Sequence, residues 1–277
     1  MKKKWLVSVV CVLTAASVAS AAYVPAGATG LWRFQTSVDK LTATVGTDMQ
    51  SSNAGNSAWF SGPWTTIGTT ADPLLYSDGG VVQERSWDHL TVYHGIGGAN
   101  GGGSYINEYT VVMDYVQTSG QTSWNSLFQT AWNGNANDGD LWTDGAGHIG
   151  VGAVGYSTLT YDASKWHRIA LSVDNGSFFR VYVDGILFLD GASQSVDGRF
   201  SLELDRFNLF ADDSWEDQWG LVGTVATWGR ALTTDEISQM GGWLDGSATP
   251  TPLYIIPEPA TMALLGLGGF ALLRRRK

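Results

Sequence analysis

Two stretches of this 277-residue chain concentrate side chains that could bind or react. Residues 132–144 read WNGNANDGDLWTD and place Asn135, Asn137, Asp138 and Asp140 between Trp132 and Trp142. Residues 211–219 read ADDSWEDQW and set Asp212, Asp213, Glu216 and Asp217 around Trp215 and Trp219. Calcium takes six to eight oxygen ligands, and clustered Asp and Asn supply them. Asp138, Asp140, Asp212 and Asp213 are the candidate ligands, with calcium the candidate ion. The spacing is not that of an EF-hand, because Asp138 falls where the turn glycine of such a loop would sit. The same loops combine flat apolar rings with amides and carboxylates, which is what recognition of a sugar requires. Trp132, Asn135, Asn137, Trp142, Trp215 and Trp219 form the candidate ligand-binding set.

Other chemistries find little support. No Gly-x-Ser-x-Gly elbow occurs, and His89, His94, His148 and His167 form no HExxH pattern or close ligand spacing. Gly97, Gly98 and Gly101 to Gly103 lack the Lys and Ser/Thr of a phosphate loop and precede a strand, so they read as a mobile loop. The single cysteine, Cys11, lies in an N-terminal apolar segment. The body therefore has no disulfide, thiolate zinc site, iron–sulfur ligation or Cys nucleophile. The formal charge is −10, and seven of the 16 Lys and Arg residues sit in the two terminal segments, so the body is more acidic still. Such a surface repels phosphate backbones and argues against nucleic-acid binding.

The elements that must carry these loops are strands. In Glu108 to Tyr115, Tyr109, Val111, Met113 and Tyr115 share one face, opposite Glu108, Thr110 and Asp114. Ile169, Leu171 and Val173 alternate with polar residues, as do Phe179, Val181 and Val183. Asp174-Asn175-Gly176 joins these two strands as a hairpin, and Asp184-Gly185 ends the second. Phe200, Leu202 and Leu204 read as another strand, and a change of phase near Asp205-Arg206 predicts a bulge before Phe207 and Leu209. One short helix follows Thr233: Thr233 and Glu236 have capping-box spacing, Ile237 and Met240 share a face, and Gly241 can end it. Many short strands with glycine-rich turns predict an all-β, two-sheet antiparallel sandwich or jelly roll.

Three segments carry a resemblance that specifies this further. Gly30-Leu31-Trp32-Arg33-Phe34 is similar to the opening strand of laminin-G-like, concanavalin A-like jelly-roll domains. Trp166-His167-Arg168-Ile169-Ala170, followed by Phe179 to Gly185, resembles their central hairpin. Trp228-Gly229-Arg230-Ala231-Leu232 and the Thr-Asp-Glu-Ile helix resemble their closing segment. The resemblance spans most of residues 22–246 and implies a fold rather than a function. Glucanases of this fold carry Glu-x-Asp-x-(x)-Glu on a strand. The nearest run here, Glu203-Leu204-Asp205-Arg206-Phe207-Asn208, ends in Phe or Asn, and neither can protonate a leaving oxygen. A non-catalytic chain is expected.

The ends read as addresses. Met1 to Ala21 has a basic start at Lys2, Lys3 and Lys4, an apolar stretch and a small-residue cleavage site at Ala19-Ser20-Ala21, the pattern of a secretory signal peptide removed by signal peptidase. Residues 247–256 read as a linker. Pro257-Glu258-Pro259 is followed by an apolar run from Ala260 to Leu273 and by Arg274-Arg275-Arg276-Lys277. The run has 14 residues, about 21 Å as a helix against a hydrocarbon core of about 30 Å. This three-part order resembles the PEP-CTERM sorting signal of Gram-negative bacteria. The resemblance implies transient anchoring in the inner membrane, processing by an exosortase-type enzyme and delivery to the cell surface or extracellular matrix. The expectation is thus an exported binding or adhesion module, with extracellular polysaccharide as candidate partner. A structural matrix protein without a ligand and a glycoside hydrolase are the alternatives.

Overall fold

In the computed structural model, the residues described are 24–34, 41–52, 59–60, 80–83, 88–117, 123–130, 138–192, 194–214 and 216–242. The signal segment, the linker and the Pro257-Glu258-Pro259 tail lie outside them. Among the described residues sixteen strands form two sheets. In chain order they are β1 (Ala28–Trp32), β2 (Ala43–Val45), β3 (Gln50–Ser51), β4 (Trp59–Phe60), β5 (Gly80–Gln83), β6 (Leu90–Tyr93), β7 (Glu108–Gln117) and β8 (Asn125–Gln129). They continue as β9 (Leu141–Thr143), β10 (Ile149–Val151), β11 (Gly155–Tyr156), β12 (His167–Asp174), β13 (Phe178–Val183), β14 (Ile186–Gly191), β15 (Arg206–Leu209) and β16 (Gly220–Trp228). Helix α1 (Thr234–Met240) follows.

The nine-stranded sheet runs β14-β13-β12-β7-β16-β1-β2, with β5 on β16 and β4 on β5. The seven-stranded sheet runs β11-β10-β9-β8-β15-β6-β3. Among the described residues every strand pair is antiparallel. β8-β9-β10-β11 and β12-β13-β14 are meanders within one sheet. The chain crosses between sheets at β2-β3, β3-β4, β5-β6, β6-β7, β7-β8, β11-β12, β14-β15 and β15-β16, as in a two-sheet sandwich. The alternation read from β7 fills the space between the layers. Tyr109, Val111, Met113 and Tyr115 meet Phe128, Phe207, Leu209, Leu90 and Val92 in the main core. Burying each such side chain contributes about 1.5–3 kcal/mol, an upper figure for a real unfolded chain. The Asp174–Gly176 turn closes the β12–β13 hairpin with Gly176 at φ 101, and Ser177 N–H donates to Asp174 O. Asp184 (φ 51) and Gly185 (φ 79) form a two-residue turn with both φ values positive, the geometry that matches strand twist.

The opposite phase of β7 and β12 is not the solvent face that its polar residues suggest. Thr110, Asp114, Arg168 and Ser172 are all buried. The outer side of the nine-stranded sheet carries a second core, in which Val112, Ala170, Tyr182, Ala226 and Trp228 pack against Leu232, Ile237 and Met240 around α1. The polar groups hold that cover down. Arg168 and Asp114 stand directly opposite across β12 and β7 and join as a two-pronged pair at 2.8 and 3.0 Å. Arg168 also donates to the Met240 carbonyl at the end of α1. Thr110 accepts from Leu232 N–H and donates to Arg230 O, and the Ser172 hydroxyl donates to Leu232 O. The helix start is the expected capping box of Thr233 and Glu236, closed by Gly241.

Two expectations fail locally. Residues 200–204 are not a strand: Phe200 and Leu202 are buried, but Leu204 is 49% exposed, and regular pairing begins only at Arg206. Glu203 and Asp205 therefore do not share a strand face; Asp205 pairs with its neighbour Arg206 instead. The glycine-rich loop is pinned rather than loose. Asp197 accepts from Ser104 N–H, Tyr105 N–H and Asn107 Nδ2, while Asn100 Oδ1 takes the N–H groups of Asn107 and Glu108. Glycines there allow backbone to approach these side chains closely, not to move freely.

Candidate functional site

At one end of the seven-stranded sheet the meander β8-β9-β10-β11 frames an open cleft of about 350 Å³. Its lining includes Trp124, Asp138, Trp142, Tyr156, Arg199 and Glu216. Trp124 immediately precedes β8 and is 41% exposed. Trp142, on β9, is buried and packs edge-on against it, with centroids 6.4 Å apart at 86°. Tyr156, on β11, braces it from another side at 5.3 Å and 62°. The indole N–H of Trp142 donates to Gly139 O, so the support is itself fixed. Gly139 has to be glycine, because a Cβ there would enter the Trp142 ring and the Ser126 hydroxyl. The outcome is one indole held between two rings with part of its surface open to solvent.

The two acidic loops converge beside this ring. Asp138, Asp212 and Asp213 each bring a carboxylate oxygen within 4.8 Å of the others. Asp212 is buried, and its Oδ2 accepts from the N–H groups of Ser214 and Glu216, which shapes the second loop. Its Oδ1 takes a longer contact from Gly139 N–H at 3.4 Å, linking the second loop to the first. Ser126 N–H donates to Glu216 O and Gln218 N–H to Asn125 Oδ1, fastening the loop along β8. Glu216 lines the cleft, and burial, then the charges of Asp212, Asp138 and Asp213, hold its carboxyl above the ordinary range.

Asp140 stands apart from the other three acids. It is buried and accepts from Thr130 N–H, Thr130 Oγ1 and Arg199 Nε, at 2.9, 2.7 and 2.8 Å. Desolvation raises its pKa despite those partners. Its oxygens organise the protein and are not turned to the Asp138–Asp212–Asp213 group. Trp219 is 39% exposed next to β16 but is not among the cleft-lining residues. Trp132, Asn135, Asn137 and Trp215 lie outside the described residues. Sequence reasoning missed Trp124 and Tyr156. Trp124 had one local signal, a lone Trp between polar residues at the mouth of a strand; Tyr156 had none.

The histidines serve the scaffold. His94 is buried, accepts from Ile96 N–H at Nδ1 and donates from Nε2 to Glu203 O, which fixes it neutral. His148 contacts Asp144, and His167 contacts Asp184. Among the described residues no histidine joins a group able to hold a metal.

Comparison with known proteins addresses the two ends of the question separately. Residues 256–277 match the PEP-CTERM protein-sorting motif, which marks the chain for export to the surface or exterior and for processing by an exosortase. No characterised protein matches the sequence significantly. The fold is similar to the Trypanosoma rangeli sialidase in complex with sialic acid, with a TM-score of 0.55 and 15% identity. That match covers 79% of this chain and 33% of the sialidase, so the chain spans about a third of that enzyme. It is also similar to domain 4 of a GH43 extracellular arabinanase from Geobacillus stearothermophilus in complex with arabinotriose. There the TM-score is 0.50 and the identity 16%, over 78% of this chain and 98% of that one. The protein is thus an exported chain carrying the PEP-CTERM sorting motif, and its body is a β-sandwich similar in fold to part of that sialidase and to that arabinanase domain. Among the described residues no helix is long and apolar enough to cross a membrane, and the apolar run at 260–273 lies outside them.

Proposed function

We propose that the protein is a non-catalytic glycan-binding module of the cell surface or extracellular matrix. The observation that carries this reading is the half-exposed Trp124 ring, braced by Trp142 and Tyr156 and flanked by Asp138 and Glu216 in an open cleft. A pyranose has one face of C–H groups and a rim of hydroxyls. The first stacks on an indole, and the second donates to carboxylates. The arabinanase domain in complex with arabinotriose supports the reading, since that domain is matched along nearly its whole length.

Calcium is part of the proposal. Asp138, Asp212 and Asp213 would supply three carboxylate oxygens, and the remaining ligands of a calcium ion would be carbonyls or water. Its role there would be to hold the two loops together beside Trp124. Affinity electrophoresis of the purified protein through a panel of neutral, acidic and amine-bearing polysaccharides tests the binding function. Saturable retardation by at least one glycan, with and without chelator, is expected; no retardation by any of them contradicts it.

A hydrolytic reading has one observation in its favour. Asp138 and Glu216 line the same cleft, and Glu216 is held above its ordinary carboxyl range by burial and by neighbouring carboxylates, as a general acid would be. It predicts reducing-sugar release from a polysaccharide that binds, abolished in Glu216→Gln. Binding without release retires it.

A further inference from the structure

Resting on the glycan-binding reading, the charges around Trp124 point to the kind of sugar. Asp138 is exposed, Glu216 lines the same cleft, and Asp212 and Asp213 each bring a carboxylate oxygen within 4.8 Å of Asp138. Among the described lining residues Arg199 is the cation, and it is already engaged. Its Nε donates to Asp140 at 2.8 Å, and its Nη2 donates to Gly139 O at 2.8 Å and lies 3.4 Å from Asp138 Oδ2. The Glu216 carboxylate receives no hydrogen bond from any described residue, and its neighbours Asp212, Asp138 and Asp213 all repel its charge.

We propose that this cleft takes a glycan built of hexosamine units with free, protonated amines, one ring stacking on Trp124 and its ammonium lying between Glu216 and Asp138. Ionised carboxylates only accept hydrogen bonds, and an ammonium offers three donors. Charge-assisted bonds between the two are roughly twice as strong as neutral ones. A neutral sugar would leave the Glu216 carboxylate, to which no described residue donates, without a counter-charge. A uronate or sialic acid would add to them, so the sialic acid found with the sialidase is the wrong charge for this cleft. The acidic chain as a whole draws a polycation towards the site.

The test compares two oligomers that differ only at nitrogen, beside a third of opposite charge. A β-1,4-linked glucosamine hexamer, its fully N-acetylated counterpart and a galacturonate hexamer are titrated calorimetrically into the purified protein, in chelator and at two salt concentrations. The glucosamine oligomer is expected to bind about tenfold tighter than the N-acetylated one, a difference of about 1.4 kcal/mol, with the preference shrinking at high salt. The galacturonate oligomer is expected not to bind. In Glu216→Gln the amine-to-amide ratio is expected to fall to about one. Equal or tighter binding of the N-acetylated or galacturonate oligomer overturns the proposal, as does a preference that survives in Glu216→Gln. If an uncharged oligomer binds through Trp124 and the amine makes no difference, only the charge selectivity fails. If no oligomer binds, the glycan reading fails with it.

Discussion

Two regions of this sandwich are made of the same materials, and they differ in what is left over. On the outer side of the nine-stranded sheet, Asp114, Arg168, Thr110 and Ser172 are buried beneath α1 next to Trp228 and Tyr182. There each charge meets its opposite: Arg168 binds Asp114 and the helix-terminal carbonyl, and the hydroxyls bind the strand-to-helix connection. At the end of the seven-stranded sheet, Trp124, Asp138, Glu216, Asp212 and Asp213 are gathered just as closely. In that region acids face acids, and a ring stays open to solvent. A group whose partners are all internal stabilises the fold. The open face of Trp124, and the Glu216 carboxylate to which no described residue donates, are where an external partner gains most.

If that contrast is right, damage to the first region appears as lost stability and damage to the second as lost ligand. The largest expected effect is Arg168→Ala, which leaves Asp114 charged in a buried place. It should lower unfolding free energy by about 3–5 kcal/mol in a denaturant titration; a loss below about 1 kcal/mol would break the comparison. Next in size is calcium. At a hundred times its dissociation constant an ion bound only to the native state adds about 2.7 kcal/mol. The expected rise in melting temperature should vanish in Asp213→Asn, whose melting in chelator should match that of the parent because Asp213 is exposed. Thr233→Ala removes the cap of α1 and should cost about 1 kcal/mol, without changing glycan affinity.

The smallest effects come from pH. Desolvation holds the His94 pKa below its ordinary 6.5, so the unfolded chain takes up the proton first. Stability should therefore decline as pH falls below 6.5 and level off once the folded-state pKa is passed. Glu236 behaves as a depressed acid: its bonds with Arg230 pull its pKa from 4.5 down to about 2. The contribution it makes is complete above 4.5 and should be lost as pH falls towards 2, a small change because its partner Arg230 is partly exposed and water screens the pair. Melting temperatures recorded from pH 8 to pH 3 would separate the two windows.

Some strands were readable from sequence because period-two alternation and turn chemistry are local, whereas the short strands β8 to β11 show no such run. β7, the β12–β13 hairpin, the Asp184-Gly185 turn and the capped helix follow directly from residue type. Local patterns could not reveal which polar face was covered. Thr110, Asp114 and Arg168 look solvent-facing until α1 returns from far along the chain to cover them. The same limit applied at Leu204, where an apolar residue in apparent phase sits at the surface. The site was half legible. Clustered acids pointed to both loops, and Asp138, Asp212 and Asp213 do converge. Asp140 resembled them in type but is matched to Arg199, 59 residues away, a pairing that sequence spacing does not encode. Trp142 was visible as an aromatic residue, but its burial turns it into the support for Trp124 rather than a contact surface.

The most direct measurement is a comparison of wild-type protein and Trp124→Ala by affinity electrophoresis in the polysaccharide that retards the wild type most, with melting curves of both. The account predicts that the variant melts within about 2 °C of the wild type, as expected for a partly exposed side chain, while retardation largely disappears. Undiminished retardation of a folded Trp124→Ala protein would contradict it.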